Sequence, residues 1–307
     1  MSKRLSVLPI ECALAVALGI FCLAAPAGKT IGEVSGMKSK NNRQNSQVRK
    51  VAPPGNLVDV GGYQLYIHCT GEGSPTVVLD SGRGGGSDDW QNVQPDLAKF
   101  TRVCSCDRAG YGYSDPGPTP RTGQQIINEL HKLLVNAEIE GPYVLVGHSS
   151  GGLHVRLYAS QYPDEVVGMA LIDPSHEDQR LRIPAEIWNV AIPTPEPGTA
   201  DYDEFVARPE TDAQVRAHRD LPPKLRDMPL VVLTGDQRPS SLPGIPEALL
   251  NQAWQTVQEM WAELTLLSSN GRRLIAKKSG HDIPRDQPEA VIDAIQQIVE
   301  DVRRKQE

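Results

Sequence analysis

The 307-residue chain is short of cysteine, of positive charge and of metal-ligand spacings, and each shortage removes a class of protein. Five cysteines are too few to staple a disulfide scaffold of this length, and no C-x-x-C or H-E-x-x-H run is present to suggest zinc. Lys and Arg number 31 against 38 Asp and Glu, for a formal net charge of −7. The deficit is uneven. Residues 1–50 hold eight Lys/Arg and two Glu, or +6, so the total of −7 leaves −13 on residues 51–307. A body that acidic has no basic face for a phosphate backbone, and nucleic acid is not an expected partner. No G-K-[ST] follows the glycines at 84–86, which argues against a phosphate-cradling loop. There is no internal repeat. What is present is 39% apolar and 22% charged residues with 27 Gly and 25 Pro. That mixture supplies a sizeable core and is too balanced for a disordered or fibrous chain.

At the N-terminus, Lys3 and Arg4 precede an apolar stretch from Cys12 to Ala25, and Ala25-Pro26-Ala27 places small residues before Gly28. Basic, apolar, then small is the order of a secretory signal. Residues 1–27 are therefore expected to be a cleaved leader, and the protein to be exported, either periplasmic or secreted. The alternative is an N-terminal membrane anchor, which would be the chain's one attachment to a membrane. Pro9 and Glu11 shorten the apolar span below the ~20 residues that cross a bilayer. Phe21 is too bulky to stand before a lipidated Cys22. Residues 28–50 are rich in Lys, Asn, Gln and Ser and read as a disordered tether. The folded domain is expected over 51–307.

From residue 57 onward strand and helix signals alternate. Leu57–Val60 and Tyr63–Cys69 flank Gly61-Gly62, a two-residue hairpin signal. Further strands are expected at Thr76–Leu79, Thr101–Ser105, Tyr143–Val146, Val166–Ile172, Leu230–Thr234 and Arg272–Ala276. Thr122 opens a helix, with Gln125 three residues on to complete a capping box and an apolar stripe at Ile126, Ile127, Leu130, Leu133, Leu134 and Ala137. Pro288–Arg304 carries the last helical stripe. Eight strands that open with a hairpin and then alternate with helices imply an α/β fold, one mostly parallel sheet covered on both faces. Residues 177–228 have several prolines, many charges and no strand, and are too long for an ordinary connection. They read as an inserted cap after the sixth strand. Trp188, Ile187 and Val190 are its candidates for an apolar pocket lining.

The chemistry starts at Gly147-His148-Ser149-Ser150-Gly151. G-x-S-x-G is weak alone, but here an apolar strand runs into it and a helix-capable stretch, 152–161, leaves it, as a nucleophile elbow requires. Such a turn holds the Ser149 hydroxyl above the sheet edge, with the helix N-terminus favouring developing negative charge. Among seven histidines, His281 stands in the loop after the last strand and is the expected base. His68, His131, His148, His154 and His218 read as packing or surface residues, while His176, after the sixth strand, is placed to approach the pocket. Ser81-Gly82-Arg83-Gly84-Gly85-Gly86 follows the third strand. The backbone N–H groups of Arg83 and Ser150 are its expected oxyanion-hole donors.

Four motifs then stand in order: Leu79-Asp80-Ser81-Gly82-Arg83-Gly84-Gly85, Asp107-Arg108-Ala109-Gly110-Tyr111-Gly112-Tyr113-Ser114-Asp115, Gly147-His148-Ser149-Ser150-Gly151-Gly152 and Ser279-Gly280-His281. In these the chain, over residues 51–305, resembles the α/β-hydrolase fold superfamily. The resemblance implies an eight-stranded sheet, a triad built on Ser149 and His281, a cap that shapes the pocket, and a 107–115 segment that buttresses the oxyanion loop. Serine at 149 is unlike the carboxylate nucleophile of the dehalogenase and epoxide-hydrolase relatives. The family's sheet order puts the second strand beside the fourth, and in an exported protein this implies a Cys69–Cys104 bridge, with Cys106 sharing the strand face of Cys104. The triad acid has two candidate positions. Asp173, in Leu171-Ile172-Asp173-Pro174, is preferred. Asp236 is the alternative, because the usual family aspartate three positions after glycine is here Arg238. The expected activity is an esterase-like serine hydrolase acting on an ester, amide or activated C–C bond of a small molecule, with no metal or organic cofactor. Aminopeptidase or perhydrolase chemistry on the same triad stays open, as does a fold relative that only binds a ligand or partner.

Overall fold

The computed structural model describes residues 54–306 apart from residue 239. The expected leader and tether, residues 1–50, lie outside the described residues. Eight strands form one sheet: β1 (Asn56–Asp59), β2 (Gln64–Thr70), β3 (Thr76–Asp80), β4 (Val103–Cys106), β5 (Tyr143–His148), β6 (Val166–Ile172), β7 (Leu230–Gly235) and β8 (Gly271–Ala276). Their spatial order is β1-β2-β4-β3-β5-β6-β7-β8. The β1–β2 and β2–β4 pairs are antiparallel, and all the others are parallel.

The central strands are buried on both faces, so they read as continuous apolar runs that still divide by alternation. Tyr143 and Leu145 of β5 face one core with Met169 and Leu171 of β6. Val144 and Val146 face the other with Ala170 and Ile172. The first core is closed by the helices Gly123–Asn136, Gly151–Gln161 and Glu247–Thr265, through side chains such as Ile127, Leu134, Leu157, Val257 and Met260. The second is closed by the helix Pro288–Gln306, through Val291, Ile295, Ile298 and Val302. Each such side chain, when fully buried, contributes roughly 1.5–3 kcal/mol.

Several boundaries depart from the apolar pattern. The hairpin strands end at Asp59 and begin again at Gln64, so four residues rather than two make the turn. Asp59 Oδ1 accepts from the N–H groups of Gly61 and Gly62, whose φ values are 122° and 102°, and Val60 N–H closes onto Tyr63 O. The side chain thus replaces the ladder at the tip. β4 starts at Val103, two residues late, because the Thr101 N–H still closes the preceding turn onto Leu97 O, while its hydroxyl donates to Pro75 O. Only half of the capping box forms. Thr122 Oγ1 accepts from Gln125 N–H, but the Gln125 amide turns away to Glu129 and Tyr63.

Between β6 and β7 lie the helices Gln179–Arg182, Ala185–Ala191 and Ala200–Ala217 and a 3-10 turn, Pro223–Leu225, with no strand. Cys69 and Cys104 stand directly opposite in the β2–β4 register and are joined as a disulfide, while Cys106 is buried as a free thiol.

Candidate active site

β5 delivers Ser149 into a turn with φ of +54°, a left-handed conformation that costs a residue with a Cβ about 1–3 kcal/mol. The surrounding contacts impose it. Ser149 N–H donates to Ile172 O and its own C=O accepts from Ser175 N–H, so β6 and the loop that follows it hold both ends of the residue. The flanking glycines are required by close approach. A methyl at Gly147 would lie 2.5 Å from Gly151 O, and one at Gly151 would lie 2.5 Å from Asp80 O.

β6 ends one residue before Asp173, itself at φ of +40°. Its carboxylate bridges two loops: Oδ1 accepts from Gly235 N–H at 2.9 Å, and Oδ2 lies 2.8 Å from His281 Nδ1. A carboxylate only accepts, so Nδ1 is the donor and Nε2 of His281 is left free to accept a proton. Asp173 is 3% exposed and His281 5%. Asp236 goes elsewhere, since its Oδ1 accepts from Lys278 N–H at 2.7 Å and ties the β7 loop to the β8 loop.

The glycine-rich loop passes beside the elbow. A methyl on Gly82 would sit 3.1 Å from Ser149 Cβ and 3.5 Å from its Oγ, so the Gly82–Arg83 peptide borders the hydroxyl. Behind that loop is a buried ionic network. Arg108 donates to Asp80 Oδ1, Ser81 O and Gly82 O, and pairs through Nε and NH2 with Glu204 of the 200–217 helix. Asp80 takes a further bond from His154 Nδ1 at 2.8 Å. Burial alone would raise the Asp80 pKa, but Arg108 and His154 bring it below the ordinary carboxylate value. Asp107 accepts from the N–H groups of Ser87 and Tyr113, which fixes the 107–115 turn against the loop.

His148, expected to be a packing residue, is buried with its ring 4.8 Å from that of His281, and its Nε2 donates to His281 O at 3.0 Å. Burial, then the neighbouring His281, push its pKa down to about 3, so it stays neutral. His176 is also buried, but its Nδ1 accepts from Asp178 N–H and it packs beside Glu177, outside the Asp173–His281 pair. The Arg83 side chain pairs with Asp201 at 2.9 Å over the Phe205 ring. The three apolar candidates do not make one wall: Ile187 is core, Trp188 is partly buried under Arg180, and Val190 is 44% exposed. Sequence reasoning missed Glu204, Asp201 and His154, which are drawn to the site by pairings across tens of residues and carry no local motif. Among the described residues no His/Cys/Asp/Glu group could hold a metal ion, and no helix is long and apolar enough to cross a membrane.

A mostly parallel sheet with this strand order, a strained serine elbow and a buried acid–histidine pair define a class, and the comparisons name it. The family model of the alpha/beta hydrolase fold matches residues 75–210. The chain is 29% identical over 234 residues to the Bacillus subtilis (strain 168) protein YqjL, covering 75% of this chain and 86% of that one. It is 30% identical over 132 residues to the 2-hydroxy-6-oxo-6-(2'-aminophenyl)hexa-2,4-dienoic acid hydrolase of Metapseudomonas resinovorans, with 40% of this chain and 46% of that protein covered. Other relatives are longer than the shared segment, which spans 22% of the probable transporter efuK of Hormonema carpetanum. Among solved structures, a thermophilic esterase from Thermogutta terrifontis superposes with a TM-score of 0.55 at 20% identity, over 81% of this chain and 99% of that one. The chain has the α/β-hydrolase fold.

Proposed function

We propose that the chain is a serine hydrolase that cleaves an ester, an amide or an activated C–C bond of a small molecule through an acyl-enzyme, using no cofactor. The observation that carries this reading is the buried 2.8 Å pair of His281 Nδ1 and Asp173 Oδ2 on loops that converge at the elbow of Ser149. His281 Nε2 takes the Ser149 proton as Oγ attacks the carbonyl carbon, and returns it to the leaving group as the scissile bond breaks. A water then repeats the cycle on the acyl-enzyme. Asp173 keeps the imidazole in the Nδ1–H tautomer and stabilises its protonated form. The Arg83 and Ser150 N–H groups meet the oxyanion, with the N-terminus of the helix Gly151–Gln161 behind them. The Metapseudomonas relative favours C–C cleavage as one member of this substrate range.

A fluorophosphonate probe should label Ser149 in the wild-type chain, and Ser149→Ala should abolish both labelling and turnover. Asp173→Asn should lower kcat by about 10⁴-fold, while Asp236→Asn stays near wild type. An unlabelled Ser149 points to a binding member of the fold. Loss of turnover in a folded Asp236→Asn with a near-normal Asp173→Asn reassigns the acid.

A further inference from the structure

We propose that Glu204, on the helix Ala200–Ala217, is a positioning residue for the oxyanion hole and acts through Arg108. The inference rests on the reading above, in which the Arg83 N–H receives the developing negative charge. Arg108 has five N–H donors, and each has an acceptor: Nε on Glu204 Oε1, NH1 on Asp80 Oδ1 and Ser81 O, NH2 on Gly82 O and Glu204 Oε2. The bond to Gly82 O, at 2.9 Å, bears on the chemistry most directly. Gly82 C=O and Arg83 N–H belong to one trans peptide unit, so they point in opposite directions. Fixing the oxygen on a guanidinium aims the N–H the other way, and the charge-assisted bond polarises that N–H as a donor.

Glu204 sets where the guanidinium sits. Its bidentate grip takes two of the five donors, and the Arg108 and Glu204 side chains are each 5% exposed, so no water replaces it. Asp80 is already held to NH1 through Oδ1 and to His154 through Oδ2, and it does not reach the Nε edge that Glu204 grips. Without the Glu204 carboxylate, buried Arg108 donors lose their acceptors and the guanidinium shifts to find others, releasing the Gly82 carbonyl. Asp201, three residues earlier and so on the same helix face, holds the Arg83 side chain. That carboxylate is 36% exposed and its pair is correspondingly weak, which leaves Glu204 as the coupling residue.

The test compares Glu204→Gln with Glu210→Gln, an exposed change on the same helix, in the full chain. The substrates and ligands are a small aryl ester, a trifluoromethyl ketone that forms an oxyanion on the serine, and the matching unreactive amide. Glu204→Gln should lower kcat roughly tenfold, less than the 10²–10³ lost with a whole oxyanion donor, and leave KM within about twofold. The trifluoromethyl ketone should weaken in parallel with kcat/KM while the amide binds as before, and Glu204→Asp should recover part of the loss. Glu210→Gln should match wild type. A purely structural role predicts equal loss of ketone and amide binding, or a rise in KM alone, and either result overturns the proposal. So does a Glu204→Gln enzyme with kcat within twofold of wild type. If the wild-type serine takes no fluorophosphonate, the hydrolase reading falls and this inference with it; labelled serine with an unaffected Glu204→Gln removes only the inference.

Discussion

Asp89 stands behind the glycine-rich loop, and its Oδ2 is buried with no hydrogen-bond partner among the described residues. A methyl on Gly85 would meet that oxygen at 2.0 Å, so the backbone there closes directly over the carboxylate. Burial pushes its pKa up to about 6, against the opposing pull of the neighbouring Ser81 hydroxyl and Arg108. An acid whose pKa is higher folded than unfolded costs no stability below the unfolded value, near 4. It takes stability away as pH rises from about 4 to about 6, where the unfolded chain ionises and the folded one does not, and the full loss persists above 6, where the folded state holds an ill-solvated charge. Two pKa units correspond to about 2–3 kcal/mol. Asp89→Asn should therefore stabilise the protein by up to about that amount at pH 7 and by nearly nothing at pH 4. Urea unfolding at the two pH values measures it, and an equal gain at both would show that the carboxylate's charge is not the cause. His148 is the opposite case. A pKa pushed down to about 3 keeps it neutral wherever His281 must exchange protons, so it holds the His281 carbonyl without competing as a base.

Among the elements, the β1–β2 hairpin joins the sheet through the β2–β4 pairing alone. The Cys69–Cys104 disulfide crosses that junction and closes a separation of 35 residues. Chain-entropy arguments put such a link at about 3–4 kcal/mol. A Cys69→Ser, Cys104→Ser variant should lose about that much in denaturant unfolding. Amide exchange should quicken first at Leu65 and Ile67, while β5 stays protected. An unchanged midpoint, or loss spread evenly over the sheet, would mean that the ladder alone holds the hairpin. Most elements were legible because apolar alternation and turn residues are local. Val166–Ile172 is read with both ends right for that reason. The misreadings came where a polar side chain competes with the ladder: Asp59 at the hairpin tip, Thr101 before β4, and Gln125, drawn off its cap by Tyr63 and Glu129. Pro75 and Tyr63, 26 and 62 residues from their partners, are not visible in a local window, whereas the glycines that hold Asp59 are.

At the scale of the whole molecule, the same division separates the legible part of the site from the rest. Ser149 and Asp173 directly follow strand ends and His281 lies in the loop after β8, whereas Glu204 meets Arg108 across 96 residues and Asp201 meets Arg83 across 118. Such pairs exist only once the sheet has brought their elements together. The body that does this, residues 54–306, holds all eight strands and the candidate site without the cationic first fifty residues. It also carries a disulfide, and disulfides persist in oxidising compartments and are rare in the cytosol of mesophiles. The basic, apolar, small-residue order of residues 3–27 points independently to the same place. We therefore propose export with cleavage before Gly28. Protein recovered from cells that express it should begin near Gly28, lie outside the cytoplasm and have its Cys69–Cys104 bond formed. A chain that keeps Met1 and needs detergent for release would instead mark residues 1–27 as an anchor. An intact, soluble cytosolic chain with reduced Cys69 and Cys104 would overturn the export reading altogether.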